Sequence, residues 1–365
     1  MALRTVATRP WRQRRRRSRG HRATRRARRE QRVSGSRREA APSNWASQSE
    51  RGSLALIRAM RWIAVALGRP VARALLHPIA AYFLLFGGPA TRASAAYLRR
   101  VLGRRPGWRE RYRHIHRFAA TVLDRVYLLR EEGRGFEVEV SGADALDQVL
   151  AHGRGALLIG AHLGSFEALR ALGRSRRGLR VAMCMYEHNA RKINAVLQAI
   201  APQAELRVIG LGRLESMLEL RDWLQAGGVA GVLADRGLPA GMSAGRSRNV
   251  SVPFLGSPAL FPDGPFRLAA MLRCPVVFMA GLYEGGARYH LQFDELADFS
   301  AVAAGPAREA AIEQALRHYA AVLERQCRRS PYNWFNFYDF WAGARDAKPV
   351  AAAQPHEPPT SHARF

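Results

Sequence analysis

From residue 136 onwards the sequence alternates short apolar runs of strand length with segments of helix length, and this alternation restricts the fold more than any other feature. Strand candidates fall at 136–140, 155–160, 180–185, 205–209, 229–234, 275–280 and 289–293, with helices near 143–151, 165–173, 189–200, 213–226, 264–272 and 308–327. Strands separated by helices pair through crossovers, so the pattern predicts an α/β fold with a mostly parallel central sheet flanked by helices. No internal repeat is visible at a period of about 20 to 50 residues.

The chain of 365 residues carries a net charge of +29, and the position of that charge matters more than its sum. Residues 1–42 hold 16 Arg against Glu30 and Glu39, about half of the excess. With almost no apolar periodicity this stretch cannot offset its ordering entropy, so a disordered basic tail is expected. It reads as a nucleic-acid or anionic-lipid arm, or as a solvated or upstream-initiated extension. The lack of aromatic residues interleaved for base stacking favours the second reading. Residues 43–135 read as a helical, membrane-associating region, 136–345 as the α/β domain and 346–365 as a disordered tail.

Between 53 and 88 the sequence is apolar but interrupted by Arg58, Arg61, Arg69 and Arg73, and Pro70 and Pro78 are expected to break a helix. Only about ten residues around 79–86 are strongly apolar, short for a bilayer crossing. Either an interfacial or re-entrant anchor, with arginines reaching anionic headgroups, or a buried helical hairpin fits. Residues 99–130 read as one or two amphipathic helices. His114 and His116 on them point about 200° apart, so shared metal ligation is not expected and both are taken as surface residues. Cys184, Cys274 and Cys327 lack the spacing of a zinc knuckle, so no metal is proposed.

The run 155–160, Gly-Ala-Leu-Leu-Ile-Gly, has the pattern of a buried strand and delivers His162 to its carboxyl end, where open α/β folds place their ligands. Glu167 follows five residues on. On a continuous helix such residues point about 140° apart, so they meet only if the chain turns between them. Gly164 permits the turn and Ser165 suits a helix N-cap, which puts Glu167 in a first turn where the dipole favours a carboxylate. The pair suits a general base held in one tautomer by a carboxylate. Residues 164–168, Gly-Ser-Phe-Glu-Ala, do not form the GxSxG elbow of hydrolases, so direct attack by an acceptor hydroxyl on a thioester is expected.

Four blocks in order extend this motif: 155–167; 232–237, Val-Leu-Ala-Asp-Arg-Gly; 252–256, Val-Pro-Phe-Leu-Gly, running into 261–270; and 275–278, Pro-Val-Val-Phe. Together they resemble the lipid A acyltransferase family, within a wider superfamily marked by a His followed five residues later by Asp or Glu. The resemblance spans roughly residues 43 to 341. It implies His162 as base and Glu167 as its partner. Ser165, between them, is read as a substrate-binding residue. Asp235 matches an Asp-Gln block of the family and Arg236 departs from it, which leaves the acceptor open. Asp263 and Gly264 resemble a helix start whose free N–H groups would face an oxyanion or phosphate. Arg267 would contact an acceptor phosphate or the phosphopantetheine arm, or stand as a surface charge. Asn189 and Arg191 resemble positions lining the acceptor side. The aromatic segment 331–341 resembles the family's closing segment, for which core packing is the expected role, with acyl-channel lining or membrane contact as the other readings.

The resemblance implies transfer of a fatty acyl chain from an acyl carrier protein thioester to a hydroxyl of a membrane glycolipid such as a lipid A precursor. Coenzyme A is the alternative donor, and no cofactor is implied. Such an enzyme would work at the cytoplasmic face of the inner membrane, with no specific nucleic acid as partner. A glycerophospholipid acyltransferase of the same superfamily ranks lower, since that class carries Asp where this chain has Glu167. A non-catalytic basic protein binding membrane or nucleic acid explains the charge but not the four blocks. Gly210 and Gly212 suggest a dinucleotide loop, but Glu215 at the third glycine position opposes a pyrophosphate.

Overall fold

The computed structural model describes residues 62–64, 66–130, 135–151, 153–169, 179–186, 207–236 and 248–344. The terminal tails, Arg58, Arg61, Asn189, Arg191 and the helix expected at 189–200 lie outside the described residues. Strands β1 (Glu137–Ser141), β2 (Leu157–Gly160), β3 (Val181–Tyr186), β4 (Arg207–Leu211), β5 (Val229–Leu233), β8 (Pro275–Gly285) and β9 (Arg288–Asp298) form one seven-stranded sheet in the order β1-β9-β8-β2-β5-β3-β4. Every pairing is parallel except β8 with β9, so the fold is mixed α/β with a mostly parallel sheet, as the alternation predicts.

Alternate side chains of the central strands point to opposite faces and both faces are buried, which is why these strands read as continuous apolar runs. Leu157, Ile159, Val276 and Phe278 join one core, packed against helices α6 (Gly264–Leu272) and α7 (Pro306–Arg329). Leu158, Val277 and Met279 join the other, against α3 (Trp108–Arg130) and α4 (Ala143–Ala151). Helix α5 (Leu214–Gln225) covers the first face through Leu220 and Leu224. Residues 252–256, one of the four blocks, lie in a two-stranded antiparallel hairpin, β6 (Asn249–Phe254) and β7 (Ser257–Pro262).

Helices α1 (Gly68–Phe86) and α2 (Pro89–Leu102) meet at a bend of 92°. The two prolines do not stop α1. Pro70 lies in its first turn, where a missing N–H costs nothing, and Pro78 is carried within a helix held down by its neighbours. Arg69 and Arg73 do not reach outward. They converge on Asp124 of α3, a wholly buried carboxylate that accepts from Arg69 at 3.1 and 3.2 Å, Arg73 at 3.1 Å and the Tyr289 hydroxyl at 3.1 Å. A charge buried so deeply persists because it is paired and hydrogen-bonded, and here the pairing fastens α1 to the body. His114 is a second correction: it is not at the surface but wholly buried.

Candidate active site

The register of β2 on β5 decides which side chains meet. Leu157 lies opposite Ala230 and Gly160 opposite Leu233. Two residues beyond each strand the same offset sets His162 opposite Asp235, and the Ala234 N–H still donates to the Gly160 carbonyl at 3.0 Å. His162 Nδ1 lies 2.8 Å from Asp235 Oδ1, and the His162 backbone N–H donates to Asp235 Oδ2 at 3.1 Å. The Trp334 indole N–H donates to the same Oδ2 at 3.0 Å. Asp235 is wholly buried, whereas the His162 side chain retains 31% exposure.

A carboxylate only accepts, so Nδ1 carries the proton in this tautomer and Nε2 presents a lone pair. Burial alone would raise the Asp235 pKa, but His162, its hydrogen bonds and Arg236 hold it down at about 2. For His162 burial lowers the pKa; Asp235 opposes this, and the cations Arg236 and Arg125 add to it. At neutral pH the site therefore holds a neutral imidazole against an ionised carboxylate.

Glu167 occupies a different place from the one expected. It is buried at the start of a helical turn, but its carboxylate accepts from the Ser165 hydroxyl at 2.8 Å and faces Arg125 Nε at 3.2 Å. The carboxylate on the His162 ring is thus Asp235 rather than Glu167. Ser165, read as an N-cap, spends its hydroxyl on Glu167. The turn between them is tight: Gly164 adopts φ +74, and a Cβ there would lie 1.8 Å from the Gly281 carbonyl oxygen. Its N–H donates to Asn333 O at 2.9 Å, and that of Ser165 to Gly281 O at 2.8 Å.

The aromatic segment closes the site from the other side. Phe335 N–H donates to His162 O at 2.7 Å, and Arg236 donates to Phe335 O at 3.1 Å while lying over the Tyr338 ring. Asp263, Gly264 and Arg267 are not joined to this group by any described hydrogen bond. Asp263 is buried, accepting from the Arg248 backbone N–H and from Arg267, and Arg267 also pairs with Glu309. Arg267 is therefore not a free surface charge but one whose guanidinium is already occupied by carboxylates. Sequence reasoning missed Trp334, Asn333 and Arg125. A register argument on the buried runs ending at residues 160 and 233 holds the signal that pairs His162 with Asp235.

Burial pushes the thiols of Cys184 and Cys274 up to about 12 and raises that of Cys327 as well. None of the three is a ready thiolate nucleophile. Among the described residues no cluster of His, Cys, Asp and Glu is arranged to hold a metal ion.

A mixed α/β scaffold here sets a hydrogen-bonded histidine beyond the carboxyl ends of two adjacent parallel strands, where open α/β folds hold their ligands. Residues 49–342 match the family described as bacterial lipid A biosynthesis acyltransferase, and the chain belongs to that family of acyltransferases. No curated protein matches the chain.

Proposed function

We propose that this acyltransferase moves a fatty acyl group from an acyl carrier protein thioester to a hydroxyl of a lipid A-like glycolipid, with His162 as base and Asp235 as its orienting partner. The observation that carries the reading is the His162–Asp235 pair, whose Nε2 has no hydrogen-bond partner among the described residues, on a partly exposed ring. His162 Nε2 takes the acceptor hydroxyl proton as the oxygen attacks the thioester carbonyl. The tetrahedral intermediate collapses by breaking the C–S bond, and the imidazolium returns its proton to the leaving thiolate. Asp235 stabilises the imidazolium between the two transfers.

Glu167 is assigned a supporting role, holding Arg125 and Ser165 beside the base. Arg125 and Arg236 supply positive charge next to His162, suited to the phosphates of a lipid A-like acceptor or of the pantetheine arm. The net positive charge of the chain suits an acidic carrier protein.

Membrane association at the cytoplasmic face of the inner membrane belongs to the same reading. Among the described residues no single helix is long and apolar enough to cross a bilayer. Helix α1 nevertheless leaves Tyr82, Phe83, Leu85 and Phe86 exposed near its bend with α2, and Phe118 and Val122 are exposed on α3. Such a surface suits an interfacial anchor.

The test is acyl transfer by the purified full chain from acyl carrier protein to a lipid A precursor, read as an added acyl mass. His162→Ala should remove it. Failure of the wild type to acylate any glycolipid, or near-normal turnover by His162→Ala, would overturn the proposal.

A further inference from the structure

Resting on the reading of His162 and Asp235 as the working pair, we propose that Trp334 and His114 are positioning residues of the base: the Trp334 indole N–H fixes Asp235, and His114 fixes Trp334. An aspartate side chain has two free torsions, so holding Oδ1 against His162 Nδ1 requires something to hold Oδ2. Two donors do so, the His162 backbone N–H at 3.1 Å and Trp334 Nε1 at 3.0 Å. The first belongs to the residue being positioned. Trp334 is the one independent donor among the described contacts of Asp235.

Trp334 is itself closely held. It is wholly buried, edge-on to Tyr97, Phe254 and Phe340, and its backbone bridges to Leu163. His114 of α3, which no step of the transfer uses, sets Nε2 at 2.9 Å from the Trp334 carbonyl oxygen. That oxygen can only accept, so His114 Nε2 carries the hydrogen and Nδ1 accepts from the Ser94 hydroxyl of α2 at 2.8 Å. Burial pushes His114 down to about 4, so this donor pattern stays fixed at neutral pH. The rings of Phe335 and Phe337 stack beside it, with centroids 6.2 and 4.9 Å away. A path of hydrogen bonds thus runs from α2 through α3 and the aromatic segment to the carboxylate behind the base.

The charged groups acting on His162 are Asp235, Arg236 and Arg125; those near Asp235 are His162 and Arg236, with the buried phenols of Tyr319 and Tyr338 and the buried thiol of Cys327 close by. A donor on Oδ2 withdraws negative charge from the carboxylate. Removing it leaves Asp235 a stronger partner for imidazolium, so the pKa of His162 rises even as its aim loosens.

The experiment replaces the Trp334 indole with a benzothiophene, which keeps the shape and lacks the N–H, and in parallel makes Trp334→Phe, His114→Leu and His114→Gln in the full chain. Each is followed by kcat, KM and the pH dependence of kcat/KM for acyl transfer. The benzothiophene protein is expected to lose about tenfold or more in kcat with KM within about twofold, and the acid limb of its profile should move up by about half a pH unit or more. His114→Leu should shift the same way by less, and His114→Gln, which keeps an N–H donor, should recover most of the loss. A folded benzothiophene protein with the wild-type profile overturns the proposal, and so does a lower rate with an unmoved acid limb. Should Trp334→Phe fail to fold, the near-isosteric replacement decides. Activity retained by His162→Ala would instead remove the base assignment itself, an outcome distinct from any given by Trp334.

Discussion

Asp235 lies 73 positions beyond His162 and still shares two hydrogen bonds with it, because parallel strands bring together residues that no local motif can connect. The His-to-Glu spacing and the family resemblance both point to Glu167, and neither carries the strand register that brings Asp235 to the ring. His162 itself was legible, since a buried strand followed by Ala-His-Leu-Gly announces where the chain leaves the sheet. His114 was not, because two histidines on opposite sides of a helix cannot both be at the surface when one side faces a core. The two carboxylates can be told apart by titration. With neutral His162 as the proposed base, kcat/KM should be flat near pH 7 and fall as pH drops through a pKa that burial holds below the usual histidine value. Asp235→Asn removes the anion that supports the imidazolium. Its acid limb should move to lower pH while the plateau drops by about 10²- to 10⁴-fold. Glu167→Gln, which keeps a hydrogen-bonding amide beside Arg125, should lower the rate by less and leave the acid limb in place. An upward-moving or stationary limb in Asp235→Asn would contradict the pairing.

Among the elements, those with a clean period were legible and those with conflicting local signals were not. The central strands at 157–160, 229–233 and 275–285 are apolar on both faces, so their burial is written in their composition. The hairpin of β6 and β7 was hidden by Pro253, Pro258 and Pro262, which sequence rules remove from strands. A two-stranded ribbon lying outside the main sheet has open edges that tolerate them. Helix α1 was obscured in the same way by Pro78, and what holds it is tertiary: the ion cluster on Asp124 cannot be read from spacing. The turn after β2 is the element on which the site depends most. At Gly164 a left-handed backbone coincides with a carbonyl oxygen standing where a Cβ would be. Gly164→Ala should therefore cost more than the about 1–3 kcal/mol of a strained φ alone. The cost should appear as a lowered urea midpoint with an unchanged slope, together with a fall in kcat, because His162 sits two residues before the displaced backbone. A variant as stable and active as the wild type would mean that β8 yields to make room.

At the scale of the whole molecule, the proposed function requires a site at the end of a buried sheet to reach an acceptor anchored in lipid. Helix α3 carries the link on this reading. Its Phe118 ring is exposed, yet packs at 5.3 and 5.1 Å against Phe335 and Phe337, and Phe335 N–H is bonded to the His162 carbonyl. On the proposed reading, a bilayer meeting the exposed apolar side chains of α3 and of the α1 tip would present its headgroups near the site opening. Leu85 and Phe86, 74% and 63% exposed at the end of α1, contribute little to the core, so charging them tests the surface without unfolding the protein. Burying two such side chains in the interface contributes about 1.5–3 kcal/mol each. Since each 1.4 kcal/mol is tenfold in affinity, Leu85→Asp with Phe86→Asp should weaken binding to anionic phospholipid vesicles by about 10²-fold or more. The melting temperature should stay unchanged. Transfer to an acceptor dispersed in detergent should persist, while transfer to the same acceptor embedded in vesicles should fall with binding. Equal losses in detergent and in vesicles would mean that these residues act on the site itself rather than on its approach to the membrane.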